Sequence, residues 1–217
     1  MRHFSIQTLC FTMLVLLSRD SQGSGFAPPA APILPALDVR VAAGRAAQEG
    51  YCAMTDDWPV HFSLFLALWT AVIAGVFSAF SEFVMRALSR AAPASGVDAM
   101  QQINVSVLRT QFVAGILLIP PISIGFAIYG FGAFDGLARI SSFGAALVYT
   151  TMVFLVTVFG NVPMNNRLAG LDPHARETEA YWSEYGRVWT RLNHIRTLGS
   201  LFTAGLYLVT GVALLTE

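Results

Sequence analysis

The chain has 217 residues, 55% of them hydrophobic and 12% charged, with 13 basic and 13 acidic side chains and a formal net charge of +0. A soluble domain carries about 25% charged residues. The composition therefore argues against a soluble globular fold, a disordered chain and a nucleic-acid binder, and for a membrane protein.

The N-terminal part stands apart. Residues 4–17 form a short apolar run behind Arg2 and His3. The run is short for a membrane span and resembles a signal-peptide core, although no clean small-x-small cleavage site follows it. Residues 25–37 are rich in Pro and Ala and read as a linker. Three readings stay open: translation starting at Met54, a processed signal, or a true extra segment. Residues 1–57 are read as a poorly structured extension and 58–217 as a four-helix transmembrane domain. Cys10 and Cys52 both precede the first long apolar segment, so no disulfide core or cysteine metal site is expected.

Four long apolar segments follow, over residues 62–80, 112–134, 143–159 and 198–215. Each approaches the roughly 17–25 residues that carry a helix across about 30 Å of hydrocarbon. Lipid leaves no partner for open backbone, which makes helices the natural solution. Pro120 and Pro121 predict a kink in the second span. The expected fold is all-α: a membrane-embedded four-helix bundle with an amphipathic interfacial helix before the last span. That helix covers about residues 177–193, with Tyr181, Trp182, Tyr185 and Trp189 on one broad face and Glu184, Arg187 and Arg191 able to pair on another. It is expected to run directly into the fourth span, with its aromatics either at headgroup level or covering a site at the mouth of the bundle.

Arginine distribution sets the expected orientation. Arg86, Arg90 and Arg109 follow the first span, and Arg167, Arg176, Arg187, Arg191 and Arg196 follow the third, whereas Arg139 stands alone after the second. The positive-inside rule then makes loops 86–109 and 160–196 cytoplasmic and puts both termini outside, in a bacterial inner membrane.

Polar groups at the edge of apolar spans are the candidates for function. Glu82 ends the first span, with Arg86 one turn on; it is either a proton carrier or half of a boundary salt bridge. Asn104 and Arg109 lie on the approach to the second span and are expected to face Glu82 across the first loop, in a helix capped near Asp98. Asn161, Pro163 and Asn165 read either as a helix stop or as amides offered to a ligand. Asn193, His194 and Arg196 open the fourth span, and His194 is a base available near neutral pH. One His and one Glu are too few for a zinc site, and no phosphate loop, nucleophile elbow, CxxC or HExxH occurs. No cofactor and no metal are expected.

The run Gly75-Val76-Phe77-Ser78-Ala79-Phe80-Ser81-Glu82-Phe83-Val84-Met85, followed by Met100-Gln101-Gln102-Ile103-Asn104, resembles the opening of the anthrone oxygenase-like membrane family, in particular its bacterial branch. Asn161-Val162-Pro163-Met164-Asn165, then Trp182, Tyr185, Trp189 and Asn193-His194-Ile195-Arg196-Thr197, resemble its second half. The similarity spans about residues 58–215. It implies a four-helix membrane bundle, and it implies oxidation of an anthrone to an anthraquinone by dioxygen without a prosthetic group.

On this reading Glu82 or His194 removes a proton beside a carbonyl. Arg196, Asn161 and Asn104 stabilise the oxyanion, and Trp189 and Tyr185 stack on a flat anthrone- or quinol-like substrate. Arg86, Asn165 and Asn193 complete the binding residues. The rival reading is a non-catalytic bundle that binds a lipid or pigment or supports a larger membrane complex. Expected partners are membrane lipid, an apolar aromatic small molecule, and further copies or a larger complex; no nucleic acid is expected.

Overall fold

A computed structural model of the chain describes residues 57–216, so the readings of the N-terminal extension and of both cysteines lie outside the described residues. Five helices follow one another: α1 Trp58–Arg90, α2 Pro93–Val107, α3 Gln111–Ala133, α4 Gly136–Ala169 and α5 Arg176–Thr216. No strand occurs among the described residues. All but α2 are long and apolar enough to cross a membrane. At 1.5 Å per residue, α1, α4 and α5 are each about 50–60 Å long, well beyond a hydrocarbon layer of about 30 Å. Their surplus length collects at one end of the bundle, where α2 joins them.

Sequence chemistry explains the packing. α5 lies along α1 for most of its length and also against α4. Small residues make the approach possible, as lipid-embedded bundles require. Ser63, Ala67, Thr70 and Ala74 of α1 are buried, as are Ser200, Thr203, Ala204 and Gly211 of α5. A Cβ on Gly211 would sit 2.8 Å from Ser63 Oγ, and one on Gly199 would sit 2.7 Å from Met152 Cβ. The hydroxyls of Ser63, Thr70, Thr203 and Thr210 bond to carbonyls one turn back, so they cross the apolar layer satisfied.

Three stretches are wound as π-helix: Phe80–Val84 in α1, and Tyr149–Leu155 and Thr157–Asn161 in α4. Such insertions loosen the backbone ladder and often mark functional sites. They correct the reading of Pro163 as a helix stop. α4 continues through it to Ala169, because Pro163 falls in the first turn of the α-helical stretch after the π segment, where its missing N–H costs little. α3 likewise passes unbroken through Pro120 and Pro121. The first loop is mostly α2, with Ala92 at its N-cap, Pro93 in its first turn and Asp98 well inside, so Asp98 does not cap it.

At the widened end, the aromatic face of α5 turns inward onto α2 and the ends of α1 and α4. Tyr181, Trp182, Tyr185 and Trp189 are buried with Met85, Val97, Met100 and Leu168. Trp182 stacks on Tyr185 at 5.5 Å, and Tyr185 on Trp189 at 6.1 Å. Gln101 Nε2 donates to the carbonyls of Leu168 and Leu171, both at 2.9 Å, which satisfies the C-terminus of α4. The expected pairing of Glu184 with Arg187 and Arg191 is not formed: all three are exposed, and the one ion pair among the described residues is Arg139–Asp135 at 2.7 Å.

Candidate functional site

The widened end encloses a cavity of about 390 Å³, within the roughly 300–1,000 Å³ usual for small-molecule sites. Its walls come from α1, α2, the start of α3, the second half of α4 and the middle of α5. Five aromatic side chains line it: Phe77, Phe80, Phe112, Phe154 and Trp189. The floor is buried. The rim between α2 or α3 and α4 is apolar and exposed, with Val105, Leu108, Leu117, Val158 and Val162 along it.

One cation stands in this apolar space. Arg196 is 5% exposed and lines the cavity. Its guanidinium lies over the Phe77 ring at 4.2 Å and near Trp189 at 5.3 Å. Nη2 donates to Asn193 Oδ1 at 2.5 Å, and Nη1 reaches Thr157 Oγ1 at 3.5 Å. Nε has no partner, and no carboxylate among the described residues pairs with the group. Asn193 is fixed in turn by α1: its Nδ2 donates to the Phe77 carbonyl at 2.5 Å and to Ser81 Oγ at 2.7 Å. These acceptors lie beside and within the π segment of α1, where a loosened ladder lets a side chain in.

The other amides divide. Asn165 Oδ1 accepts from Tyr185 Oη at 2.8 Å and from Trp189 Nε1 at 2.9 Å, and Asn165 lines the cavity. Asn104 also lines it, beside Tyr185 but without a well-formed bond, and its buried Nδ2 is unpartnered. Asn161 is buried behind the wall, where Nδ2 donates to the Trp189 carbonyl at 3.4 Å and Oδ1 is unpartnered. The Asn161–Asn165 segment therefore ties α4 to α5 rather than serving the freed backbone of its own helix.

The structure brings together Asn104, Asn165, Trp189, Asn193 and Arg196 in the cavity, with Asn161 and Tyr185 directly behind. It does not bring Glu82, Arg86 or His194 there. All three are exposed, and none lines the cavity. Glu82 accepts from Ser78 Oγ at 2.7 Å instead of pairing with Arg86. Asn104 turns to the cavity and not to Glu82, and Arg109 is exposed. Residues not foreseen are Thr157, which holds Arg196, Ser81, which holds Asn193, and the four phenylalanines of the wall. A helical count would have found most of the polar set: 185, 189, 193, 196 and 200 run along one stripe of α5, and all five are buried. His194 lies off that stripe. Among the described residues no three His, Cys, Asp or Glu come together as a metal site.

Among the described residues, a helical membrane bundle with an apolar cavity that holds a buried arginine defines the class. Residues 108–206, which hold α3, α4 and α5 as far as Leu206, match the family model described as Anthrone oxygenase, and over this stretch the chain is anthrone oxygenase-like. Neither a curated protein nor a solved structure matches the chain.

Proposed function

We propose that the cavity is the active site of a membrane oxygenase that oxidises a flat, apolar anthrone- or quinol-like substrate with dioxygen. The observation that carries this reading is Arg196, a buried guanidinium without a counter-ion, set in an aromatic-walled cavity within the matched stretch. For an anthrone the balance is substrate plus O₂ giving anthraquinone plus water. The ring carbon beside the π-system loses a proton, and the charge passes to the carbonyl oxygen. The electron-rich anion reduces dioxygen and forms a C–O bond, and loss of water from the resulting peroxide gives the second carbonyl.

The protein's part is electrostatic. Arg196 Nε and Asn104 Nδ2 are donors with no partner, of the kind that stabilise an oxyanion as it develops. Removing one such donor costs on the order of 10²–10³ in rate in comparable sites. Asn193 and Thr157 hold the guanidinium, and Asn165 holds Tyr185 and Trp189 in place. With no carboxylate or imidazole in the wall, the proton goes to water. Glu82 and His194 act as bases only if they move from the exposed positions they occupy here.

The same reading places the arginine-rich end, which is the cavity end, in the cytoplasm of a bacterial cell with both termini outside. Arg86, Arg90, Arg109, Arg167, Arg176, Arg187 and Arg191 are all exposed at that end, against Arg139 at the other.

The test is oxygen uptake by purified, detergent-solubilised protein given emodin anthrone, with spontaneous oxidation subtracted. Protein-dependent uptake is expected, falling about 100-fold in Arg196→Gln. Absence of protein-dependent uptake overturns the oxygenase reading and favours the bundle as a non-catalytic binder.

A further inference from the structure

Arg196 brings a permanent charge into the bundle, since a guanidinium keeps its proton in proteins. It has five N–H donors to satisfy. The structure gives it two acceptor oxygens, on Asn193 and Thr157, and two ring faces, Phe77 and Trp189. The ionisable groups that act on it electrostatically are Tyr185 of α5 and Tyr149 of α4. Both are phenols, with an ordinary pKa of about 10, and supply no negative charge at neutral pH. A buried ion without a partner is costly enough that proteins seldom keep one. On the same wall, Asn104 Nδ2 is unpartnered, and Asn165 has its Oδ1 occupied twice, which leaves its amide a donor. The polar part of the cavity thus offers free donors beside a cation and no anion, and the remainder is apolar, aliphatic side chains with five aromatic ones among them.

We propose that the missing counter-ion of Arg196 is the ligand itself, bound in its ground state as a flat aromatic monoanion, an enolate or phenolate, with its oxygen on the guanidinium and its rings between the cavity phenylalanines. Binding the neutral acid then releases one proton to solvent, so that protein plus HL gives protein·L⁻ plus H⁺. The inference rests on the oxygenase reading only for the ring skeleton. It differs in making the anion the bound ground state, present without dioxygen or turnover, and not a species formed only along the reaction. The site therefore selects for acidity: ring systems that carry an ionisable hydroxyl or enol bind, and their neutral isosteres do not.

Emodin tests this, because it is already an anthraquinone and its visible band moves to the red when a phenol ionises. The full chain in lipid nanodiscs is titrated with pH in the presence of emodin, beside empty nanodiscs. Bound emodin is expected to ionise about one pH unit or more lower than emodin in empty discs, a tenfold preference for the anion. Arg196→Gln is expected to abolish the shift and Arg196→Lys to retain part of it. Should Arg196→Gln fail to fold, the wild-type protein alone decides: fully O-methylated emodin, which cannot ionise, is expected to bind at least about tenfold more weakly than emodin. Emodin ionising at the same pH in loaded and empty discs overturns the proposal. So does equal binding of the methylated compound, or displacement of emodin by equimolar oleate, which would make the ligand a carboxylate lipid. A shift without oxygen uptake leaves this proposal standing and removes catalysis. Uptake without a shift does the reverse.

Discussion

At the residue scale, the cavity depends on side chains that each serve two masters. Asn165 Oδ1 accepts hydrogen bonds from the Tyr185 hydroxyl and the Trp189 indole N–H, both on buried rings. Asn165→Leu strands both donors. At about 1–3 kcal/mol for each unsatisfied buried group, thermal unfolding should show a loss of about 2 kcal/mol or more, and Asn165→Asp, which keeps the acceptor, should recover part of it. Tyr149 gives the opposite sign. Its buried hydroxyl has no partner, so Tyr149→Phe removes an unsatisfied group at constant shape and should leave the melting temperature unchanged or raise it. The exposed pair Glu82 and His194 supplies a third comparison. With neither in the cavity wall, Glu82→Gln and His194→Gln should retain oxygen uptake to within about twofold, far from the loss of 10² or more expected at Arg196. A loss of 10² in either would restore that residue as the base.

At the element scale, α5 shows what can be read from a sequence and what cannot. Its apolar second half announced a span, and its aromatic first half announced an amphipathic continuation; the structure joins them as one 41-residue helix. Phase along that helix separates Asn193 and Arg196, which face inward, from His194, which does not. Attention to chemistry alone favours the histidine, because an imidazole titrates near neutrality, whereas burial favours the residue that packing has selected. The same holds in α1, where Phe77, Ser81 and Met85 share the buried face and Glu82 falls beside it. The π segments were not legible at all. Those of α4 are richer in β-branched residues than the rest of that helix, but no periodicity marks the change from α to π winding, and the first of them packs closely on α5, with Gly199 against Met152 and Val153. That contact is exposed to test. Gly199→Leu forces α5 away from the π segment of α4, and reduced thermal stability together with weakened emodin binding is expected. The same substitution at Gly205, where nothing lies within 4 Å of an added Cβ, should be silent.

At the scale of the whole molecule, the surplus length of three helices, the exposed arginines and the cavity all gather at one end. The other end is sparer, with Arg139 bonded to Asp135 and to the Phe134 carbonyl. With Cys10 and Cys52 replaced by Ser, single cysteines at 109 and 187 should react with a membrane-impermeant maleimide only after inner-membrane vesicles are inverted, and one at 135 only before, if the arginine-rich end is cytoplasmic. Composition alone carried the class of the molecule, because a 12% charged chain has few other ways to be stable. The cavity was beyond its reach, since a void belongs to no single segment and five helices contribute its walls.

The exposed apolar rim between α2 or α3 and α4 has a kinetic consequence. A substrate that slips in past Leu117 and Val158, which lie on two of the membrane-crossing helices, comes from among acyl chains and not from water. What the protein samples is then a mole fraction in two dimensions. Diluting a fixed amount of substrate and protein with additional blank lipid should slow turnover in proportion, even though the concentration per litre never changes.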